Sequence, residues 1–211
     1  MLFISMSLLH ELGMKHYTDK AYLHKYMDFY EKYFEPIRFE VKNLLEIGVW
    51  DGASIKVWLE YFPNAQIYGI DNDPKPSVEL HDRFTFIKKD AFEPSLVDTF
   101  SNDFFDIVID DGSHKMSEQR QSLKTYWSKV KPNGYFVMED MHTSFWTHPF
   151  YADSTPTTYD FLVRNVDSQD GELNNIRPQF KETHLFHEPQ THFANPSLDV
   201  TDTHITMVIK K

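Results

Sequence analysis

The 211-residue chain contains no cysteine. That removes disulfides and any thiolate metal site, and it is compatible with a reducing, cytoplasmic setting. Glycine is scarce at 7 residues, so the few glycine turns stand out as positions where the backbone needs special freedom. Positive charge is short as well: 21 Lys and Arg face 32 Asp and Glu, a formal net charge of -11. Nucleic-acid binding rests on clustered Lys and Arg, so a surface that tracks a phosphate backbone is not expected, and pairs such as Lys88-Lys89 read as solvated faces. Long hydrophobic runs are missing too. The opening MLFISMSLL is far shorter than the ~20 residues of a bilayer span and lacks a basic leader and a small-residue cleavage site. It reads as a docked arm, and no membrane partner is expected.

What is present is an alternation of short apolar runs with amphipathic stretches. Tyr22, Leu23, Tyr26, Met27, Tyr30, Tyr33 and Phe34 recur at three- and four-residue spacing and predict one helix over 21–34, ended by Pro36. Strands are predicted at 43–47, 66–70, 84–87, 105–109 and 135–138, with helices at 53–61 and 117–130 and a closing strand at 204–209. The Pro132-Asn133-Gly134 turn is expected to separate the second of these helices from the fifth strand. The pattern predicts an α/β fold, a doubly wound and mostly parallel sheet with helices on both faces. We read residues 1–211 as a single domain: a helical leader (1–40), a binding core (43–140), an aromatic- and proline-rich insertion after strand five (141–180) and closing strands (181–211).

Ligands of such sheets sit outside the carboxyl ends of the strands. Here those ends are acidic. Strand one runs into Glu46 and Gly48, strand two into Asp71, strand four into Asp110-Asp111 and strand five into Glu139-Asp140, while Asp90 follows strand three. Adjacent like charges need cations or hydrogen-bond donors among them, so FFDIVIDDGSH poses a question of what serves its acids. The first turn, LLEIGVWDGAS, is spaced E-x-G-x-x-x-G and lacks the close glycines that admit a pyrophosphate. Carboxylates also repel phosphate. A nicotinamide dinucleotide is therefore disfavoured, and a phosphate-free, positively charged cofactor such as S-adenosylmethionine suits the crevice. Asp71 stands where an acid would hold ribose hydroxyls, or it caps a helix. Asp90 would accept from an adenine amino group or cap a turn. Glu46 would orient the glycine turn around Gly48 or the methionine ammonium, or be a strand-end acid met by backbone N–H groups. Because successive strand residues face opposite ways, Asp110 can face the cofactor and Asp111 the substrate.

The strings LLEIGVWDGAS, YFPNAQIYGID, VIDDGSH and GYFVMEDMHTSFW resemble, in order and spacing, the metal-dependent S-adenosylmethionine O-methyltransferases that modify sugars of natural products. Cephalosporin-tailoring proteins are more distant relatives of that pattern. YTDKAYLHKYM is similar to the T-D-K leader of the group, with Tyr17 where a glycine is usual. The resemblance covers about 43–146. It implies a class I, Rossmann-like methyltransferase with Asp111, Glu139 and Asp140 as ligands of Mg²⁺ (or Mn²⁺), His114 as general base, and a sugar or glycosylated small molecule as acceptor. Three oxygen ligands with open positions suit a hard octahedral cation. A catechol-type phenolic O-methyltransferase, a nicotinamide-dependent oxidoreductase and a non-catalytic binding module are the rival readings, and a homo-oligomer is left open.

Two weaker patterns remain. HLFHEPQTH gathers His184, His187 and His192, but strand spacing puts the first two on opposite faces, against a zinc site. Phe145, Trp146, Phe150, Tyr151 and Tyr159 would either stack on a sugar ring or form a private core of the insertion.

Overall fold

The computed structural model describes residues 6–73, 81–189 and 203–211. Its centre is a seven-stranded sheet of β1 (Asn43–Ile47), β2 (Gln66–Asp71), β3 (Phe84–Lys88), β4 (Phe105–Asp110), β5 (Val130–Met138), β6 (Glu182–Pro189) and β7 (Thr203–Lys210), in the order β3-β2-β1-β4-β5-β7-β6. Strands β1 to β5 pair in parallel, and β7 runs antiparallel between β5 and β6. The order reverses at β1/β4, which is the switch point where the crevice opens. Such central strands are buried on both faces and read as near-continuous apolar runs. Leu44 and Ile107 accordingly enter one core, and their chain neighbours Leu45 and Val108 the other.

The first core is closed by α1 (Leu8–His16), α3 (Tyr26–Phe34) and α4 (Ala53–Tyr61), with Trp58, Tyr61 and Phe34 fully buried. The second is closed by α6 (Met116–Tyr126), by a short turn α5 (Pro94–Val97), and by α7 (Thr158–Leu162) and α8 (Gly171–Ile176) of the 141–180 segment. Phe161, Leu162, Leu173 and Ile176 of that segment pack with Tyr126 and Trp127, so the insertion is part of the second core. Its other aromatics pair among themselves: Phe145 with Tyr159 at 4.9 Å and Trp146 with Tyr151 at 4.7 Å between ring centres.

The leader differs from the single helix expected over 21–34. It begins with α1, capped by the Ser7 hydroxyl, which accepts from His10 N at 3.2 Å. That helix ends on Tyr17 at φ 61°, the left-handed C-terminal position that favours glycine. A second helix, α2 (Asp19–Tyr22), stops before Lys25, whose φ of 58° turns the chain into α3. The kinked chain brings the Lys20 and Tyr26 side chains to the carboxyl ends of β4 and β5, onto Asp111, Glu139 and Asp140.

Two other boundaries moved. The helix expected over 117–130 ends at Tyr126 in a single 3-10 turn, Trp127–Lys129, and β5 has already begun at Val130. Pro132-Asn133-Gly134 is thus an irregularity inside β5, between the pairs Phe105–Val130 and Ile107–Tyr135. Lys211 bridges it, accepting from Asn133 N at 2.7 Å and donating to Gly134 O at 3.0 Å. No helix among the described residues is long and apolar enough to cross a membrane.

Candidate active site

A cleft of about 690 Å³ opens at the carboxyl ends of β1, β2, β4 and β5. Of the residues singled out from sequence, Gly48, Asp71, Asp90, Asp110, Asp111, His114 and Asp140 line it; Glu46 and Glu139 do not. Gly48 is required by geometry. At φ +86° a Cβ there would stand 1.9 Å from the Asp111 carbonyl oxygen, so only glycine lets the β1 turn lie against the β4 turn.

One wall is built locally. Asp71 Oδ2 accepts from Val49 N at 2.8 Å and Trp50 N at 2.9 Å, and Oδ1 from Asp73 N at 2.9 Å. This carboxylate fastens the β1 turn to the end of β2 and faces the cleft as it does so. Asp90 accepts from Phe92 N at 2.9 Å, a self-contained turn on the exposed rim.

The floor is built from distant parts of the chain. Lys20, 1% exposed, places its ammonium among three carboxylates: it donates to Asp111 Oδ2, to Glu139 Oε2 at 2.8 Å, and faces Glu46 Oε1 at 3.5 Å. Burial alone would push this ammonium down, but Asp111, Glu139 and Glu46 together hold it well above its ordinary value. It is the positive charge that the acidic strand ends demanded. Glu46 lies beneath the cleft. Its Oε2 accepts from Ser54 Oγ at 2.8 Å and Trp58 Nε1 at 3.1 Å, and burial pushes the carboxyl up to about 7 against the pull of Lys20. Glu46 is therefore tied to α4 and to Lys20 and makes no wall of the cavity.

Asp111, His114 and Asp140 present ligand atoms that all lie within 4.8 Å of one another. His114, at φ 59°, turns Nε2 to 3.6 Å from Asp140 Oδ2. Burial would raise the Asp140 carboxyl, but His114, His24 and His142, with a 2.8 Å hydrogen bond from the Tyr26 hydroxyl, bring it below the usual carboxylate range. Asp110 lines the cleft but is almost wholly buried. It is 5% exposed, its Oδ2 has no hydrogen-bond partner among the described residues, and burial pushes it up to about 7.

The three carboxylates proposed for a cation are contiguous, since Asp111 and Glu139 share the Lys20 ammonium and Asp111 and Asp140 share the His114 edge. Glu139 keeps Oε1 buried without a hydrogen-bond partner among the described residues. An oxygen-rich donor set with an orphaned oxygen fits a hard divalent ion. The cleft also fits a sulfonium cofactor, being walled by Asp71, Asp90, Asp110, Asp111 and Asp140 with the Gly48 turn in its lining. Lys20 and Tyr26 were not singled out from sequence. The signal for Lys20 was there, in the T-D-K string and in the unmet charge of Asp110-Asp111. The aromatics of the insertion are absent from the cleft lining, so the described structure favours their packing role. His184 pairs with Glu182 at 3.2 Å, and His192 lies outside the described residues.

Residues 45–141 match the family model for a methyltransferase domain. The chain is 36% identical to a mycinamicin VI 2''-O-methyltransferase of Micromonospora griseorubida over 65% of this chain and 37% of that protein. It is 34% identical to an 8-demethyl-8-alpha-L-rhamnosyl tetracenomycin-C 2'-O-methyltransferase of Streptomyces olivaceus over 74% and 44% respectively. The chain thus spans less than half the length of these curated relatives. Among solved structures, the MycE methyltransferase in complex with Mg and SAH superposes with a TM-score of 0.73 at 28% identity, over 98% of this chain and 55% of that one. A caffeoyl-CoA O-methyltransferase-like structure from Staphylococcus aureus, at 13% identity and a TM-score of 0.55, shares the fold. The resemblance read from the sequence is borne out, and so is the class I methyltransferase fold.

Proposed function

We infer, from the premise that this chain has the class I methyltransferase fold and is related to sugar O-methyltransferases, that it transfers a methyl group from S-adenosylmethionine to a hydroxyl of a sugar or glycosylated small molecule with the help of a divalent cation. The observation that carries this reading is the cleft floor, where Asp111, His114 and Asp140 converge beside Glu139. Asp71 would hold ribose hydroxyls with the carboxylate lone pairs left over from its backbone bonds, and Asp90 would meet the adenine edge on the rim. Asp111, Glu139 and Asp140 would hold Mg²⁺, with Mn²⁺ as a substitute. Bound there, the cofactor supplies an electrophilic methyl on a sulfonium, and the ion lowers the pKa of a hydroxyl that is otherwise a poor nucleophile.

The protein's own part is proton removal and positioning. His114 Nε2 would take the hydroxyl proton, and the charge of Asp140, whose Oδ2 lies 3.6 Å from that nitrogen, would stabilise the imidazolium that forms. Lys20 balances part of the floor charge from beneath, pulling against the burial that pushes the Asp111 and Glu139 carboxyls up.

The test is twofold. S-adenosylhomocysteine should raise the melting temperature while NAD and NADP leave it unchanged, because only a ligand of the folded state stabilises it. Methyl transfer to a panel of glycosides should then require Mg²⁺ and stop on chelation. A shift with NAD alone, or full turnover in protein shown metal-free by elemental analysis, overturns the assignment.

A further inference from the structure

On the far side of Asp140 three histidines from separate stretches of chain meet. His24 lies in the break between α2 and α3, His142 in the 3-10 turn Met141–Phe145 that follows β5, and His204 at the start of β7. His24 Nδ1 stands 2.6 Å from His204 Nδ1 and 3.9 Å from Asp140 Oδ1, and His142 Nδ1 is 3.9 Å from the same oxygen. The His142 ring centre is 6.5 Å from that of His24 and 5.3 Å from that of His204.

Packing alone accounts poorly for this arrangement. His142 is 7% exposed, yet its Nδ1 has no hydrogen-bond partner among the described residues, an omission that ordinarily costs about 1–3 kcal/mol. The nitrogens of His24 and His204 point at each other, so one proton at most can serve both. Asp140 divides its two oxygens between the two sides: Oδ2 faces His114, and Oδ1, which accepts from the Tyr26 hydroxyl at 2.8 Å, also faces His24 and His142. The outer nitrogen of His24, Nε2, faces Asp19 Oδ2 at 3.8 Å, the carboxylate backing that metal-binding histidines commonly have.

We propose that His24, His142, His204 and Oδ1 of Asp140 form a second cation site, separate from the oxygen site on the cleft floor and selective for a borderline divalent ion of the zinc class. Three imidazole nitrogens and one carboxylate oxygen make a four-coordinate set that suits Zn²⁺ or Co²⁺ and is poor for Mg²⁺. Tetrahedral ligation at about 2.0–2.1 Å puts ligand atoms roughly 3.3–3.5 Å apart. The ligand atoms of His24, His204 and Asp140 already lie within 4.8 Å of one another; the two facing nitrogens need to part by under about 1 Å and the carboxylate to close by about half an ångström, and the His142 ring must turn inward to join them as the fourth ligand. The ligands come from the leader, from the segment after β5 and from β7, so the ion fastens the leader to the sheet. It does so through the same carboxylate that serves the floor. This site stands on the histidine geometry alone and does not depend on the methyl-transfer reading.

Cobalt is the probe, because its tetrahedral and octahedral complexes differ in visible absorption. Chelator-treated full-length protein, held in excess Mg²⁺ to occupy the oxygen site, is titrated with Co²⁺ in the absence of cofactor. One equivalent should produce the intense visible bands of four-coordinate Co²⁺, be displaced by one equivalent of Zn²⁺, and raise the melting temperature by several degrees. His24→Gln and His204→Gln should each abolish the bands, while His184→Gln and Asp111→Asn retain them. X-ray absorption on zinc-loaded wild-type protein reads the shell without any variant, and should find imidazole nitrogens in the majority. Weak octahedral absorption, bands that survive both histidine changes, or an all-oxygen shell overturns the proposal.

Discussion

Asp71 ends β2 and Asp111 follows β4, both in the lining of one cleft, yet they are held in place by different means. Asp71 accepts three backbone N–H groups from the turns beside it, those of Val49, Trp50 and Asp73. Asp111 depends on the ammonium of Lys20, 91 residues away, and its companion Glu139 on the same ammonium across 119 residues. The wall is therefore a property of the loops that form it, and each of its acids is satisfied where the chain turns. The floor is a property of the assembled fold: remove the leader and Asp111, Glu139 and Asp140 lose Lys20, His24 and Tyr26 together. Acids satisfied by amides tolerate an empty site. Acids satisfied by one shared cation form a balance that any new charge, cofactor or metal, must readjust.

The sharpest way to break this contrast is to remove the shared cation. Lys20→Met should cost about 3–5 kcal/mol, because it strands buried carboxylates without a partner. Urea unfolding measures it, and a loss below about 1 kcal/mol would mean that the floor balances its charge elsewhere. Next in size is the chemistry the floor supports. His114→Ala should lower kcat by ~10²–10⁴-fold, about 3–5 kcal/mol of transition-state stabilisation. Its affinity for S-adenosylhomocysteine should stay within a few-fold of wild type, since the imidazole faces Asp140 and not the ribose wall. An equal loss in both readings would merge the two halves of the cleft into one.

The same contrast explains what could be read from the sequence. Local periodicity predicted β1 to β4 within about one residue, and the acids at strand ends were visible because strand, turn and acid are consecutive in the chain. Gly48 was legible for the same reason. The three-helix leader was not, because Lys25, whose left-handed backbone turns the chain into α3, carries no turn signature. The early start of β5 was hidden by Pro132-Asn133-Gly134, which reads as a break but is held in the strand by Lys211 at the chain end. His24, His142 and His204 are scattered over 181 positions of sequence and meet only through the antiparallel placement of β7 beside β5. Glu46 and Glu139 were legible as acids at strand ends, but their shared contact with Lys20 was not, because that ammonium comes from the leader.

A pH series separates the halves further. Burial pushes the Asp110 carboxyl up to about 7, against roughly 3.9 for a free aspartate. A carboxyl raised by folding binds its proton more tightly in the folded state. Its contribution to stability is thus complete below about pH 4 and is lost as the pH rises to about 7. The wild-type minus Asp110→Asn difference in unfolding free energy should fall by about 3–4 kcal/mol across that window. A flat difference would place Asp110 with the amide-satisfied acids of the wall.

The smallest effect is expected at the wall itself, where Asp71→Asn sharpens the comparison by altering charge and little else. The amide oxygen can still accept from Val49 N and Trp50 N, the two bonds that fasten the β1 turn, and only the bond from Asp73 N must be given up. Loss of one backbone hydrogen bond at a partly exposed site costs about 0.5–1.5 kcal/mol of stability. If the freed lone pairs of Asp71 hold ribose hydroxyls, the same change replaces a charged acceptor by a neutral one and should weaken S-adenosylhomocysteine binding by about tenfold, roughly 1.4 kcal/mol. Calorimetric titration of the variant measures the second quantity and urea unfolding the first. A variant that binds as wild type while losing stability would make Asp71 a turn fastener and nothing more; one that loses several kcal/mol of stability would show that the wall, like the floor, is held by charge.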